Sequence, residues 1–255
     1  MTWLLDGRTI EILRYQDLPM KPYQRLPIEE CGEPLVPLPL ATFAVITPHP
    51  YAALGAPYGD RSPYWLRKSV VAALLQAQQN LQERRPGWRL QLFDAYRPLS
   101  VQQFMVEYTA QELAQQQGLA LAQMSDQEKQ ALMETVYQFW ALPSPDPKTP
   151  PPHSTGAAID LTLMDASGRP VDMGSPIDEI SPRSHPNYFQ DQLDDQSQQV
   201  QCDRDLLRVV MEAAGFQQHP NEWWHFSQGD QLWAWLATKA TQQPHLACYG
   251  AAPPA

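Results

Sequence analysis

The order of helical and extended patterns along the chain narrows its possible folds more than any other feature. In the first half, apolar residues recur at helical spacing in long segments that follow Ser62, Ser100 and Ser125. The second half is richer in short alternating segments, of which 158–164 is the clearest strand. Helices that come first and strands that come later are typical of α+β domains. We therefore predict an α+β fold with a central, mainly antiparallel sheet and helices packed on it.

Local start and stop signals set the expected bounds of these elements. Ser62 followed by Pro63 is typical of a helix start, and Ser125 with Glu128 forms a capping box. Residues 174–202 are polar and irregular, and a loop of that length in a compact domain is usually functional. The expected helices cover 62–84, 100–117, 125–140, 203–214 and 231–240, and the expected strands cover 42–47, 88–92, 158–164, 170–173, 216–218 and 222–227.

The domain organisation is inferred from the absence of internal repeats and of a linker-like boundary in the sequence. We expect one catalytic domain over 1–240, with short extended pieces over 1–41 wrapping it. The proline-rich run 141–152 can form neither helix nor sheet, and we interpret it as a stiff lip beside His153. The last residues, 241–255, are expected to form a loose tail.

Charge and cysteine content restrict the partners and the kind of site. The net charge of −10 makes nucleic acid and anionic membranes unsuitable partners. The sequence shows neither a signal peptide nor an apolar run of roughly 18 residues, so a cytoplasmic location without membrane association is expected. Three cysteines without a C-x-x-C spacing do not indicate a thiolate metal site. A metal would therefore need histidine and carboxylate ligands. The sequence does not specify an oligomeric state.

Two polar islands supply residues of that type. His153 and Asp160 lie seven residues apart, and they can reach one ion only if the backbone bends at Gly156. Glu222 and His225 flank two tryptophans. A catalytic zinc ion needs three protein ligands and a nearby carboxylate that accepts a proton from water. That division would make His153, Asp160 and His225 the ligands and Glu222 the base. The alternative is packed or surface residues without a metal.

Arg97 is a further candidate because it comes after a predicted strand end and precedes a proline. Attack of water on a peptide carbonyl creates an oxyanion, and a fixed cation beside it stabilises the developing charge. A surface arginine in a turn is the competing interpretation. Of the remaining histidines, His49, His219 and His245 lack a partner pattern and are expected at the surface, and His185 is left undecided.

Four motifs resemble the VanX-type D-alanyl-D-alanine dipeptidases, and they occur in the family order over about 88–230. The motifs are Asp94-Ala95-Tyr96-Arg97-Pro98, the segment His153 to Leu163, Met173-Gly174-Ser175, and Glu222-Trp223-Trp224-His225-Phe226. The resemblance implies a zinc metallopeptidase of the fold group that includes D-Ala-D-Ala carboxypeptidases and the Hedgehog signalling domain. It implies one Zn²⁺ per chain on His153, Asp160 and His225. It also implies Glu222 as general base and Arg97 as the arginine that stabilises the transition state.

The family resemblance further implies a small dipeptide, free D-Ala-D-Ala, as substrate. The family usually has a serine two residues before its first ligand, whereas this chain has Pro151. A hydroxyl that could help to bind the substrate carboxylate is therefore missing. Asp178 is a candidate to meet the substrate ammonium group, or else a solvated loop carboxylate. Two alternatives stay open: a D,D- or L,D-carboxypeptidase or endopeptidase on peptidoglycan peptides, and a zinc-binding module without turnover.

Overall fold

A computed structural model of the chain describes the backbone of residues 3–5 and 8–10 and all atoms of 20–60 and 62–252. Much of the extended segment predicted before residue 20 therefore lies outside the described residues. Within 20–42 the chain forms two 3-10 turns, Pro22–Arg25 and Leu40–Thr42, separated by one short strand. The strand agrees with the prediction of short extended pieces, whereas the two helical turns were not predicted.

Short strands and a few long helices make up the fold. The strands are β1 (Trp3–Leu5), β2 (Arg8–Ile10), β3 (Leu35–Pro37), β4 (Ala44–Val45), β5 (Trp65–Arg67), β6 (Arg89–Asp94), β7 (Ala158–Met164), β8 (Gln217–Gln218) and β9 (His225–Ser227). The helices are α1 (Pro50–Ala53), α2 (Lys68–Arg84), α3 (Leu99–Gln116), α4 (Asp126–Phe139), α5 (Asp195–Glu212) and α6 (Gln231–Thr241). The predicted α+β class is confirmed.

The central sheet has the strand order β4-β6-β7-β9-β8. Only the β4–β6 pair is parallel within this sheet, so it is mainly antiparallel, as predicted. The register pairs Asp94 of β6 with Asp160 of β7, and Asp160 with His225 of β9. Three polar residues are thereby placed in one row across three neighbouring strands. This row lies at the end of β6, after a register irregularity between Leu92 and Asp94.

Two hydrophobic clusters separate the helices into layers. One cluster joins residues of α2 and α5 to Leu90 and Leu92 of β6. The other consists mainly of residues from α3 and α4, and Phe93 packs against it. Because successive residues of a strand point to opposite faces, Leu92 and Phe93 contact the two clusters on opposite sides of the sheet. The polar row therefore lies between two apolar layers, which exclude water from most of its surroundings.

Several predicted element bounds are wrong, in one case because of a long-range strand pairing and in another because of a local helix cap. The helix expected from Ser62 begins at Lys68, because Trp65–Arg67 pairs with Leu35–Pro37 as a two-stranded sheet. Helix α5 begins at Asp195 and not at 203, since the Asp194 side chain accepts a hydrogen bond from the amide of Ser197. The expected strand 170–173 is reduced to a single bridge, and the strand expected over 222–227 is limited to His225–Ser227.

The segment predicted as a loose tail is packed over residues 247–250. Tyr249 is buried and donates a hydrogen bond from Oη to Glu33 Oε2 over 2.6 Å. Arg67 donates from Nη2 to the carbonyl of Gly250 over 3.1 Å. The amide of Cys31 donates to the carbonyl of Cys248, so segments from both ends of the chain run side by side. In the part of the chain that the structure describes, no helix is long and apolar enough to cross a membrane.

Candidate active site

The structure brings His153, Asp160 and His225 together although they come from three separate segments. His153 lies on the 3-10 turn Pro152–Thr155, Asp160 lies in β7, and His225 opens β9. The predicted bend is present, because Gly156 ends the turn with φ +72°, in the left-handed region. A Cβ atom at this position would also overlap the side chain of Leu35. Glycine is therefore required here on both conformational and steric grounds.

The donor atoms of these three residues form a compact triangle. His153 Nε2 lies 3.1 Å from His225 Nδ1 and 3.2 Å from Asp160 Oδ2. His225 Nδ1 lies 3.0 Å from Asp160 Oδ1, and all three side chains are buried. Ligands at about 2.0–2.1 Å from a tetrahedral zinc ion stand roughly 3.3 Å apart. Two imidazole nitrogens and one carboxylate oxygen at these separations fit such an ion in both chemistry and spacing.

Hydrogen bonds behind the triangle orient both imidazole rings. His153 Nδ1 lies 2.7 Å from the carbonyl of Ala95, which fixes the proton on Nδ1 and directs the Nε2 lone pair toward the triangle. His225 Nε2 lies 3.3 Å from Ser227 Oγ, so the opposite tautomer leaves Nδ1 free to accept a metal. Each ring therefore presents an unprotonated nitrogen to the same point.

Arg97 lies beside the triangle in a fully paired network. Its guanidinium donates to Asp94 Oδ2 at 2.9 Å and to Asp160 Oδ2 at 3.1 Å. Its central carbon stands 5.0 Å from the ring centres of Tyr51 and Trp140, in cation–π geometry on both. Because the side chain is buried, the alternative of a surface arginine is wrong.

The two carboxylates of this network are held in the ionised form. Burial alone would raise the pKa of Asp160, but the charge of His153 and the hydrogen bonds of His153 and His225 outweigh it and hold the pKa well below its usual value. Burial likewise opposes ionisation of Asp94, and Arg97 together with a hydrogen bond from His49 lowers its pKa. Tyr58 also donates to Asp94, over 2.9 Å.

Glu222 lies in the turn that precedes β9, and not in the strand predicted over 222–227. Its Oε2 is 3.8 Å from His225 Nδ1, and its Oε1 is 3.5 Å from His219 Nδ1. The amide of Trp223 donates to the carbonyl of Ser184 and fixes the turn. Burial raises the pKa of Glu222 to about 8, the charge of Asp160 adds to the effect, and Lys21 opposes it. This carboxylate can therefore accept and release a proton near neutral pH.

Asp178 lies on the polar loop at φ +67°, and its Oδ2 accepts a hydrogen bond of 2.8 Å from Tyr51 Oη. Burial and the charge of Asp160 raise the pKa of Asp178 to about 7, whereas Arg97 and the Tyr51 bond lower it. Asp178 is thus a partly buried residue at the pocket wall and not a solvated loop carboxylate.

The loop that carries Asp178 is clamped by Arg204 of α5. Arg204 donates to the carbonyls of Met173, Arg183 and His185 over 2.8–2.9 Å. These three acceptors are backbone atoms, and Arg204 Nη2 also donates to the Ser175 hydroxyl over 3.2 Å, so the guanidinium holds the shape of the loop. The loop closes one side of the pocket in this arrangement.

Several residues of the site were not found from the sequence. His49 and His219 were expected at the surface, but both are buried: His49 binds Asp94 at 3.1 Å and His219 contacts Glu222. Burial and the charge of His225 hold the pKa of His219 well below its usual value, so this ring is neutral. Asp94 opens the motif that contains Arg97, but no role for it was predicted. The signal for Asp94 was its position at a strand end, three residues before Arg97.

One pocket collects the candidate groups. A concave site with several convergent polar groups is the usual place for a small ligand. The wall carries charged and metal-binding side chains from separate parts of the chain, namely Lys21, Arg97, His153, Asp160, Asp178, His219, Glu222 and His225. Trp140, Pro152 and Trp224 supply apolar surface to the same wall. The proline-rich run therefore ends at the pocket, in agreement with the predicted lip.

Comparison with known proteins places these motifs in a family. A model of a peptidase family described as D-ala-D-ala dipeptidase matches residues 45–247. A D-alanyl-D-alanine dipeptidase of Synechocystis sp. is 52% identical over 225 residues, which cover 86% of this chain and 91% of that protein. A protein of the same description from Enterococcus faecalis is 31% identical over 165 residues, 64% of this chain and 73% of that protein.

A solved structure also aligns with the chain. It is described as the LdcB LD-carboxypeptidase, a structure that reveals the molecular basis of peptidoglycan recognition. The alignment covers 95% of this chain and 88% of the other, with 13% sequence identity and a TM-score of 0.44.

Proposed function

Because the chain belongs to the D-ala-D-ala dipeptidase family of peptidases, we propose that it hydrolyses free D-alanyl-D-alanine to two D-alanine molecules with one bound zinc ion. The observation that carries the proposal is the buried triangle of His153 Nε2, Asp160 and His225 Nδ1. The Glu222 carboxylate lies beside it, with Oε2 3.8 Å from His225 Nδ1. Family membership alone would not require an intact centre. The geometry supports one, since each proposed ligand presents a donor atom to the same point.

His153, Asp160 and His225 would hold the zinc ion. When bound, zinc polarises the scissile carbonyl and lowers the pKa of water. The chain's own residues then divide the remaining work. Asp160 stays ionised and contributes the negative charge that retains a dication, because its pKa is held low. The rings of His153 and His225 are oriented by the Ala95 carbonyl and the Ser227 hydroxyl.

Glu222 moves the proton. Its carboxylate takes a proton from the attacking water and returns it to the amine of the leaving D-alanine. A base that must then act as an acid works best when its pKa lies near the operating pH, and burial raises the pKa of Glu222 toward that range. The neutral ring of His219, 3.5 Å from Oε1, leaves the second oxygen directed at the centre.

Arg97 stabilises the charge that develops on the carbonyl oxygen. The network of Asp94, Gln102 and Tyr51 fixes the guanidinium before substrate arrives, so no reorganisation is needed during the reaction. Asp178, paired with Tyr51, binds the ammonium group of the dipeptide. A free amino group is therefore part of what the pocket recognises.

A substrate panel tests this function. We expect hydrolysis of free D-Ala-D-Ala by the zinc-loaded protein, with kcat/KM at least about 100-fold lower for N-acetyl-D-Ala-D-Ala, because the blocked amine cannot pair with Asp178. Preference for the blocked or a longer peptide would instead indicate a carboxypeptidase or endopeptidase. Bound zinc without hydrolysis of any peptide would indicate a binding module.

A further inference from the structure

Lys21 is a cation of the pocket wall to which neither the sequence motifs nor the proposed mechanism gives a task. Its segment is fixed: the Lys21 amide donates to Gln24 Oε1 over 2.9 Å and closes the 3-10 turn Pro22–Arg25. The Gln231 side chain of α6 donates to the carbonyls of Gln24 and Leu26. The lysine is therefore delivered to the pocket by an anchored turn.

The charge of Lys21 is poorly matched inside the folded chain. Its Nζ makes a long hydrogen bond of 3.4 Å to the carbonyl of Trp140, and no ion pair forms with it among the residues of 20–60 and 62–252. Burial lowers the pKa of Lys21, and the charge of Glu222 opposes that change. Arg97, by contrast, pairs with both Asp94 and Asp160. A partly desolvated ammonium group without a bonded anion gains most from an anionic ligand.

The two ends of a dipeptide require opposite charges from the pocket. Asp178 and Tyr51 offer an acceptor for the ammonium end. The carboxylate end needs a donor, and Pro151 and Pro152, which precede His153, have no side-chain donor. Arg97 is already committed to carboxylates at the centre of the site. Lys21 therefore remains as a charged hydrogen-bond donor for the carboxylate end of the dipeptide.

The position of Lys21 agrees with the direction in which the peptide must lie. The leaving D-alanine carries both the new amine, which Glu222 protonates, and the terminal carboxylate. Its carboxylate must therefore bind on the Glu222 side of the pocket. Lys21 lines the same pocket as Glu222 and His219, and His219 Nδ1 lies 3.5 Å from Glu222 Oε1.

We infer that the Lys21 ammonium group binds the C-terminal carboxylate of the dipeptide. This inference rests on the proposed dipeptidase function. It makes the N-terminal segment, which precedes the residues matched by the family model, part of the substrate site. A purely electrostatic support of Glu222 by Lys21 is a different role and predicts different kinetics.

The test compares D-Ala-D-Ala with its C-terminal amide in zinc-loaded wild type, Lys21→Met, Lys21→Gln and Lys21→Arg. Wild type should strongly prefer the free acid. In Lys21→Met and Lys21→Gln, KM for the acid should rise on the order of 10- to 100-fold, with kcat and the response to the amide nearly unchanged. If the amide is not turned over, its inhibition constant replaces KM. Lys21→Arg should retain most of the preference for the acid.

Lys68→Met, an exposed lysine outside the pocket, serves as the matched control and should behave as wild type. An unchanged ratio of acid to amide in both neutral variants would overturn the inference. So would a lower kcat with a displaced pH profile, which is the signature of a role through Glu222. Failure of the dipeptidase function itself is separate, because wild type would then not hydrolyse the free acid at all.

Discussion

The two sides of the pocket treat buried charge in opposite ways. On the strand side, formed by Asp94, Arg97, His153, Asp160 and His225, each carboxylate meets an arginine or histidine, and the pKa values of Asp94 and Asp160 are lowered. On the loop side, formed by Lys21, Asp178, His219 and Glu222, burial exceeds pairing. There the pKa values of Asp178 and Glu222 rise to about 7 and 8.

The difference in pKa separates carboxylates suited to hold a metal ion from carboxylates suited to exchange a proton. A carboxylate that stays ionised at every relevant pH retains a cation, which suits a metal ligand. A carboxylate with a pKa near neutrality can gain and lose a proton within a catalytic cycle, which suits a general base. On the strand side, the register of the sheet brings charged partners together. On the loop side, turns place carboxylates in buried positions with fewer partners, so their protonation can change near neutral pH. Substitutions on each side should therefore fail in different ways.

The largest effect is expected on the strand side from His225→Ala. Removing one of three ligands should lower bound zinc to below about 0.1 per chain and turnover by at least about 1000-fold. Zinc content by elemental analysis and D-alanine release are measured on the same sample. His245→Ala, outside the pocket, is the matched control. Full zinc occupancy in His225→Ala would contradict the assignment of His225 as a zinc ligand.

Glu222→Gln tests the loop side. This change keeps the shape of the side chain but removes the proton acceptor, so kcat should fall by about 100- to 10,000-fold while zinc content stays normal. Glu134→Gln on the exposed face of α4 controls for charge loss. Near-normal kcat in Glu222→Gln would show that this residue is not the base. Loss of zinc would instead show that Glu222 helps to hold the metal ion.

Arg97→Lys keeps a positive charge but loses the planar fork that joins Asp94 to Asp160. We expect kcat to fall by about 100- to 1000-fold, because the cation no longer has a fixed position for the oxyanion. Zinc content should stay close to normal. An unchanged kcat would mean that Arg97 serves only the packing of the strand side.

Asp94→Asn should act mainly on stability. Removing this charge leaves Arg97 with one carboxylate partner and disturbs the bonds from His49 and Tyr58. We expect the free energy of unfolding to fall by about 3 kcal/mol in denaturant titrations. A change below about 0.5 kcal/mol would show that the network is not a stabilising feature.

The smallest effect concerns the pH dependence of stability in metal-free protein. The pKa of Glu222 is about 8 in the fold and 4.5 in its reference state, so the folded chain binds the extra proton between these values. The free energy of unfolding should therefore fall as pH rises from about 4.5 to 8. Glu222→Gln should flatten this slope in thermal unfolding scans. An equal slope in both proteins would contradict the raised pKa.

Sequence reasoning succeeded where local signals decide the structure. Helix α4 begins at the predicted capping box of Ser125 and Glu128, and β7 has the predicted bounds. It failed where distant segments compete. Trp65–Arg67 continues the helical spacing of α2 toward the N-terminus, but pairing with Leu35–Pro37 draws it into a strand. The tail failed likewise, since its partners lie far away in sequence, as the bond from the Gly250 amide to Glu30 shows.

For the site, contiguous motifs predicted which side chains would approach each other, and His153, Asp160, Glu222, His225 and Arg97 do meet in one pocket. The neighbours that set their charge were not predicted. Residues such as Lys21, His49 and His219 have no local pattern, because their roles arise only when separate loops fold against the sheet. Periodicity and spacing carry no information about such contacts.

The most direct test of the central claim is a titration of metal-free protein with Zn²⁺, with release of D-alanine from free D-Ala-D-Ala as the readout. We predict that activity is absent without metal, rises linearly with added zinc and reaches its plateau at one equivalent per chain. Hydrolysis by the metal-free protein, or none at saturating zinc, would contradict the account.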